Sequence, residues 1–163
     1  MVTSVGRILL AGIIVACVVV TSCDTLPDLQ QKRRYIVTLH YCSAREQPHV
    51  VDRKLIYGAN QHIYVRDSHI LSSLNLPRIE AYTVSGGHGV RFFLDNHGRY
   101  VWTQISGSEK GQLLALLVDG ELVGFVRVAD YSDKGVIDFD GPFSTELTLG
   151  LVDNVERNYE KPN

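Results

Sequence analysis

Residues 113–128 read LLALLVDGELVGFVRV and carry the strongest local structural signal in the chain. Two apolar, β-prone runs, residues 113–118 and 121–128, are separated only by Asp119 and Gly120. An Asp-Gly pair readily adopts the positive φ angles of a two-residue hairpin turn, and between two such runs it is the strongest short-range hairpin signal. The stretch therefore predicts an antiparallel pair of strands.

The sequence on either side of this hairpin predicts further short strands bounded by turn residues. The segments rich in β-prone residues are 34–41, 53–57, 62–66, 78–84, 90–94 and 136–139. The glycine-rich residues 85–89 lead into a strand and not into a helix. They are therefore predicted to form a turn, because a phosphate-binding loop needs a helix N-terminus after its glycines.

Two helices complete the predicted domain. The first covers residues 96–106 and follows Asp95, whose carboxylate can accept hydrogen bonds from the free N–H groups of a first helical turn. The second covers residues 145–157 and carries an apolar stripe at helical spacing. Hairpin-linked strands with late helices predict an α+β fold, a mostly antiparallel sheet with two helices packed on one side, over residues 34–158.

Composition narrows the functional classes. The chain has 163 residues, 45% of them apolar, with 16 Lys and Arg against 18 Asp and Glu. A chain of this length is one domain, and without a basic excess or a basic cluster we expect no nucleic-acid partner. Its three cysteines have neither the number for a disulfide framework nor the spacing of a zinc site.

The N-terminus has the pattern of an export signal. Arg7 precedes an apolar run, residues 8–20, whose 13 residues would form a helix of about 20 Å. This length is short for the roughly 30 Å of a bilayer core. A charged start followed by a short apolar run is typical of a secretory signal peptide.

The next four residues, Val20-Thr21-Ser22-Cys23, resemble the bacterial lipobox, in which the cysteine receives lipid and becomes the new N-terminus. We therefore expect residues 1–22 to be a lipoprotein signal peptide and residues 23–33 to be the lipidated Cys23 and a polar tether. The alternative is an uncleaved signal anchor. Both place the domain outside the cytoplasm, attached to the membrane, and Asp24 favours the periplasmic face of the inner membrane.

Three segments, in order, resemble SecD, a subunit of the bacterial protein-export machinery. Residues 115–123 are similar to its strand-turn-strand AIVLDG-x-V, residues 90–98 to V-x-F-x-L-D-x-x-G, and residues 141–144 to G-N-F-T before its closing helix. The resemblance implies the fold of the head subdomain of the first large extracytoplasmic domain of SecD. The motif positions expected to shape its turns and caps are Asp95, Gly98, Asp119, Gly120 and Gly141.

The chain also departs from the SecD pattern. Residues 124–126 lack the proline that family members carry after the glycine, and no segment matches the transmembrane helices that follow the head. The resemblance therefore implies a head-like module in a stand-alone lipoprotein, which does not perform the proton-coupled work of a complete translocase.

The sequence offers little support for catalysis. The histidines have no metal-ligand spacing, the aspartates at 119, 130, 133, 138 and 140 are interpreted as turn residues, and neither GxSxG nor HExxH is present. We expect no catalytic residue, no metal and no cofactor, hence a protein that is not an enzyme. Cys42 is expected to be a small buried side chain.

Two binding roles remain open. The first is a module that contacts exported polypeptides or the translocase, by strand addition at an open sheet edge or in an apolar groove. The alternative is an envelope structural or interaction lipoprotein with one fixed protein partner. The residues predicted to contact such a partner are Val90, Phe92, Leu94, Leu122 and Phe125.

Overall fold

The computed structural model describes residues 33–45, 52–57 and 61–160. This part of the chain contains nine strands and two α-helices, together with a 3-10 turn at Ser73–Asn75. The strands are β1 Val37–Ser43, β2 Asp52–Tyr57, β3 Gln61–Arg66, β4 Leu71–Ser72, β5 Arg78–Val84, β6 Gly87–Phe93, β7 Leu113–Val118, β8 Glu121–Arg127 and β9 Val136–Phe143. The helices are α1 Asn96–Ser108 and α2 Thr145–Tyr159.

The predicted α+β class is confirmed, but the strands form two antiparallel sheets instead of one. The larger has the order β2-β3-β1-β7-β8, with β4 paired to β1, and the smaller has the order β5-β6-β9. Hairpins account for the pairing of β2 with β3, β5 with β6 and β7 with β8. The pairing of β9 with β6 joins distant segments. This pairing adds a third strand to the β5–β6 hairpin and so completes the smaller sheet.

Three boundaries differ from the sequence prediction for local reasons. Strand β1 begins at Val37 and not at residue 34, because Tyr35 has a φ of 57°, which no strand residue adopts. Strand β6 begins at Gly87, so the turn before it is shorter than residues 85–89. Strand β9 continues to Phe143, through residues expected to lead into α2.

The main core draws on both sheets and both helices. Strand β1 contributes Val37 and Leu39, β6 contributes Val90 and Phe92, and Leu151 comes from α2. The opposite face of the larger sheet is also apolar. It carries a second buried cluster of Cys42, Val65, Ala115 and Leu117. Strand β7 is therefore buried on both faces, as its uninterrupted apolar sequence requires.

The two helices begin at side-chain caps. The Asp95 carboxylate accepts a hydrogen bond from the N–H of Gly98 at 2.7 Å, and the Ser144 hydroxyl accepts one from Leu147 at 3.2 Å. The predicted cap at Asp95 is confirmed. Gly98 also lets α1 approach the 3-10 turn, since a Cβ there would stand 3.0 Å from the Cβ of Asn75. Within residues 33–45, 52–57 and 61–160, no helix has the length and apolar character needed to cross a bilayer.

Candidate functional site

Strand β8 stands at one end of the strand order of the larger sheet. Its inner edge pairs with β7, and no strand among the described residues pairs with its outer edge. Just beyond β8, the N–H of Val128 points inward and donates to the carbonyl of Gln112 at 2.9 Å. Because hydrogen-bonding direction alternates along an antiparallel strand, the backbone groups of Phe125 and Arg127 point outward.

The side chains of β8 are apolar on both faces of the sheet. Leu122 and Phe125 pack beside the second cluster, whereas Val123 and Val126 pack against the main core. All four side chains are half-buried. We call the outward backbone groups of residues 122–127, together with these flanking side chains, the β8 edge. An extended chain added there would meet apolar surface on both of its faces.

Gly124 lies in the middle of the β8 edge and accommodates an aromatic ring from the smaller sheet. A Cβ at Gly124 would stand 3.2 Å from the ring of Phe143. The register between β7 and β8 also shifts in this region, between Leu116 and Leu117. Such a bulge twists an edge strand locally.

The five residues predicted to bind a partner divide into two groups in the structure. Val90 and Phe92 are 0% and 2% exposed and lie on β6, which pairs with β5 on one side and β9 on the other. With both edges of β6 occupied, neither residue is accessible to a partner, which corrects the prediction that Val90 and Phe92 contact one. Leu94 is half-buried after β6, and its N–H donates to Gly135 at 2.9 Å. Leu122 and Phe125 belong to the β8 edge.

The turn before the β8 edge has a second role that sequence reasoning missed. Asp119 and Gly120 have φ angles of 51° and 84°, as a type I′ turn requires. The Asp119 carboxylate then accepts hydrogen bonds from three successive N–H groups, those of Arg34 and Tyr35 at 3.0 Å and that of Ile36 at 2.9 Å. The turn therefore binds the segment that enters β1.

Helix α2 holds the same segment from another side. Asn158 donates its amide protons to the carbonyls of Arg34 and Tyr35 at 2.9 and 3.0 Å, and Arg157 donates to the Arg34 carbonyl at 2.8 Å. We call Asp119, Arg157 and Asn158, with the backbone of residues 34–36, the entry clamp. Arg157 and Asn158 carry no sequence signal for this role, because their partners lie more than 120 residues away in the chain.

Gly141 and the acidic residues of β9 serve structural contacts. Gly141 has a φ of 71°, and a Cβ there would meet the carbonyl oxygen of His88. Asp138 pairs with the Arg91 guanidinium at 2.7 Å, and Asp140 accepts a hydrogen bond from the Tyr82 hydroxyl at 2.8 Å. These two aspartates lie in a strand and not in turns, which corrects the prediction for them. Burial, followed by the Asp140 contact, raises the pKa of Tyr82 to about 12.

The reactive side chains of the described residues do not form a metal site. No group of three or more His, Cys, Asp or Glu within that part of the chain could hold a metal ion. Cys42 is buried, as predicted, and its thiol donates to the carbonyl of Leu113 at 3.4 Å. Burial raises the pKa of the Cys42 thiol to about 11. The predicted signal peptide, Cys23 and Asp24 lie outside the described residues.

The fold of this chain has counterparts among solved structures. No protein-family model matches it, and no curated protein matches it. A crystal structure of SecDF in a super-membrane-facing form aligns with a TM-score of 0.56 and 11% identity, over 76% of this chain and 19% of that one. The chain therefore spans about a fifth of that protein.

A second SecDF structure, described as that of a membrane component that enhances protein export, aligns with the same TM-score and identity. It covers 83% of this chain and 71% of that chain. At 11% identity the likeness concerns architecture. The chain therefore has a SecDF-like α+β fold.

Proposed function

We propose that this protein is a lipid-anchored, extracytoplasmic binding module that holds extended polypeptide segments along the β8 edge. The observation that carries the proposal is the outward backbone of β8, flanked by half-buried apolar side chains on both faces of the sheet. Backbone pairing supplies affinity that is independent of sequence, and the flanking side chains favour apolar segments. The role is binding and not catalysis.

The fold likeness supports the same role. The two SecDF structures compared above share this fold, and one is described as a membrane component that enhances protein export. A head-like module beside the membrane would meet exported chains before they fold. Chains that have not yet folded present the free backbone groups that strand addition needs.

The lipid anchor is the part of the proposal that rests on sequence. The apolar run at residues 8–20 and the lipobox-like residues 20–23 support acylation of Cys23. Lipid on a single cysteine gives stable anchoring when more than one acyl chain is attached. Metabolic labelling with a radioactive fatty acid should label the wild type but not Cys23→Ala, while Cys42→Ala keeps the label. Label that persists in Cys23→Ala would refute the anchor.

Photo-crosslinking in cells tests the binding role. A photoreactive residue at position 122, on the β8 edge, should trap many exported polypeptides, whereas the same residue at position 149, on exposed α2, should trap few. Leu149 is a suitable control because it is 54% exposed and lies on α2, which packs mainly against β5 and β6 of the smaller sheet. One discrete adduct at position 122 would favour the alternative, an envelope lipoprotein with one fixed partner.

A proline substitution tests the contribution of the β8 backbone to binding separately from that of the side chains. Arg127→Pro removes an outward N–H that the β7–β8 pairing does not use, and proline is tolerated on such an edge. The matched control, Arg127→Ala, loses the same side-chain bond to the Gly111 carbonyl but keeps the N–H. Crosslinking should fall in Arg127→Pro alone. Equal crosslinking in the two variants, both folded by circular dichroism, would rule out strand addition at β8.

A further inference from the structure

A cleft of about 160 Å³ lies at the end of β1, away from the turn that precedes β8. Its walls include Tyr41 and Ser43 from β1, Tyr64 and Arg66 from β3, and Glu109 and Gln112 from the segment after α1. Since one water in the liquid takes up roughly 30 Å³, the space corresponds to about five waters. The space is therefore large enough for a small amino acid together with one or more waters.

The cleft brings together one cationic and one anionic side chain around an aromatic ring. The guanidinium carbon of Arg66 lies 5.2 Å from the centre of the Tyr41 ring. The Glu109 carboxylate also acts on Tyr41: burial raises the pKa of its hydroxyl, Glu109 raises it further, and Arg66 lowers it. Both charges therefore lie close to the same phenol group.

The polar wall of the cleft is held in place by hydrogen bonds to the sheet. The Gln112 side-chain amide donates to the carbonyls of Cys42 and Leu113 at 3.1 and 3.0 Å. The backbone after α1 is fixed as well, since the Gln112 N–H donates to the Glu109 carbonyl at 3.0 Å and the Glu109 N–H to Ile105 at 2.8 Å. The segment that carries Glu109 and Gln112 is therefore fixed against the larger sheet.

We propose that this cleft binds a small zwitterion of the α-amino acid type, with its carboxylate towards Arg66 and its ammonium group towards Glu109. A guanidinium has five N–H donors and can serve more than one acceptor, so a carboxylate can join its existing contacts. A ligand with one charge would be attracted by one of the two side chains and repelled by the other. A zwitterion is attracted by both, and the tyrosine rings offer a surface for its ammonium group.

Nuclear magnetic resonance on the full chain in detergent micelles tests this site, with glycine and serine as probes. Both should shift the amide resonances of Ser43 and Gln112 in a saturable way, with millimolar affinity. Acetate and methylammonium, which each carry half of the zwitterion, should bind about tenfold more weakly. The absence of a saturable shift at these amides, or equal binding of acetate, would overturn the proposal.

Two substitutions test whether Glu109 attracts the ammonium group of the ligand and Arg66 its carboxylate. Glu109→Gln should weaken glycine binding about tenfold, while Lys110→Gln, at an exposed neighbour paired with Asp130, should leave it unchanged. Arg66→Gln should weaken it by a similar factor, and if that variant fails to fold, Glu109→Gln alone decides. Unchanged affinity in Glu109→Gln would show that the cleft does not recognise the ammonium group, which refutes the zwitterion assignment. The result is independent of crosslinking at the β8 edge.

Discussion

At the scale of single residues, Asp119 has two roles: its backbone forms a turn, and its side chain binds a distant segment of the chain. Its backbone adopts a left-handed conformation, which Asp and Asn tolerate better than most residues. Its two carboxylate oxygens accept three backbone N–H bonds from residues 34–36. The sequence predicted the turn from the Asp-Gly pair. It could not predict the bonds, because they join residues more than 80 positions apart.

We expect Asp119→Ala to destabilise the protein by about 2 kcal/mol, because it leaves three N–H groups without their acceptor and strains the turn. Asp119→Asn should cost about 1 kcal/mol, since asparagine keeps the turn conformation but offers one acceptor oxygen. Urea unfolding measures both values. Asp130→Ala, which removes only an exposed ion pair with Lys110, is the control and should change stability by less than about 0.5 kcal/mol. Similar losses for Asp119→Ala and the control would contradict the clamp.

The Cys42 thiol gives a second prediction at this scale. Because burial raises its pKa from 9.0 to about 11, the folded protein holds less thiolate at pH 8 than the unfolded chain does. Alkylation of Cys42 by iodoacetamide should therefore be slow in native protein and fast in urea, as measured by peptide mass spectrometry. Above pH 9 the unfolded chain ionises first, so stability should fall as pH rises from 9 towards 11. The Cys42→Ala variant should lack this contribution.

At the scale of elements, the structure separates what a strand's own sequence determines from what its neighbours determine. The hairpin of β7 and β8 and both helix starts follow from local signals, the Asp-Gly turn and the Asp95 and Ser144 caps. The alternation of apolar residues predicted β6 but could not show whether its edges were occupied. Pairing with β9 placed Val90 and Phe92 in the core, and within the described part of the chain β8 stands at one end of the larger sheet.

The two helices contain glycines with opposite expected responses to alanine. Gly150 of α2 lies against the ring of Tyr35, where a Cβ would collide, so Gly150→Ala should destabilise by about 1–3 kcal/mol. Gly107 of α1 has room, since a Cβ would stand 3.6 Å from the Tyr131 ring. Gly107→Ala should stabilise by up to about 1 kcal/mol through helix propensity. Thermal unfolding of the two variants measures the sign of each change in Tm. Equal changes in Tm would contradict the packing of Tyr35 on α2.

At the scale of the whole molecule, a chain of ordinary composition builds two buried apolar clusters on opposite faces of one sheet. The sequence predicted the α+β class because helix and strand periods are local properties. It did not predict the division into two sheets or the entry clamp, which depend on long-range pairing. Of the candidate site, it predicted Leu122 and Phe125 as partner contacts and an open sheet edge as one way to bind, and this binding role stays a prediction. It did not indicate the cleft at the far end of β1.

Adjacent residues of β7 test whether both clusters stabilise the fold. Leu116 belongs to the main core and Leu117 to the second cluster, and both are fully buried. We expect Leu116→Ala and Leu117→Ala each to cost about 2–5 kcal/mol in urea unfolding. Leu122→Ala, at a half-buried position on β8, should cost less than either. A small loss for Leu117→Ala would mean that the second cluster contributes little to stability.

The entry clamp fastens the last turn of α2 to the residues that lead into the first strand. The beginning and the end of the described fold are thus closed on each other, and shortening the chain from the α2 side would also release β1. Force applied to the chain before residue 34 would be shared among the hydrogen bonds of the entry clamp before it reached β1. A polypeptide pulled against this domain would therefore act on a fold whose two ends are already joined by hydrogen bonds.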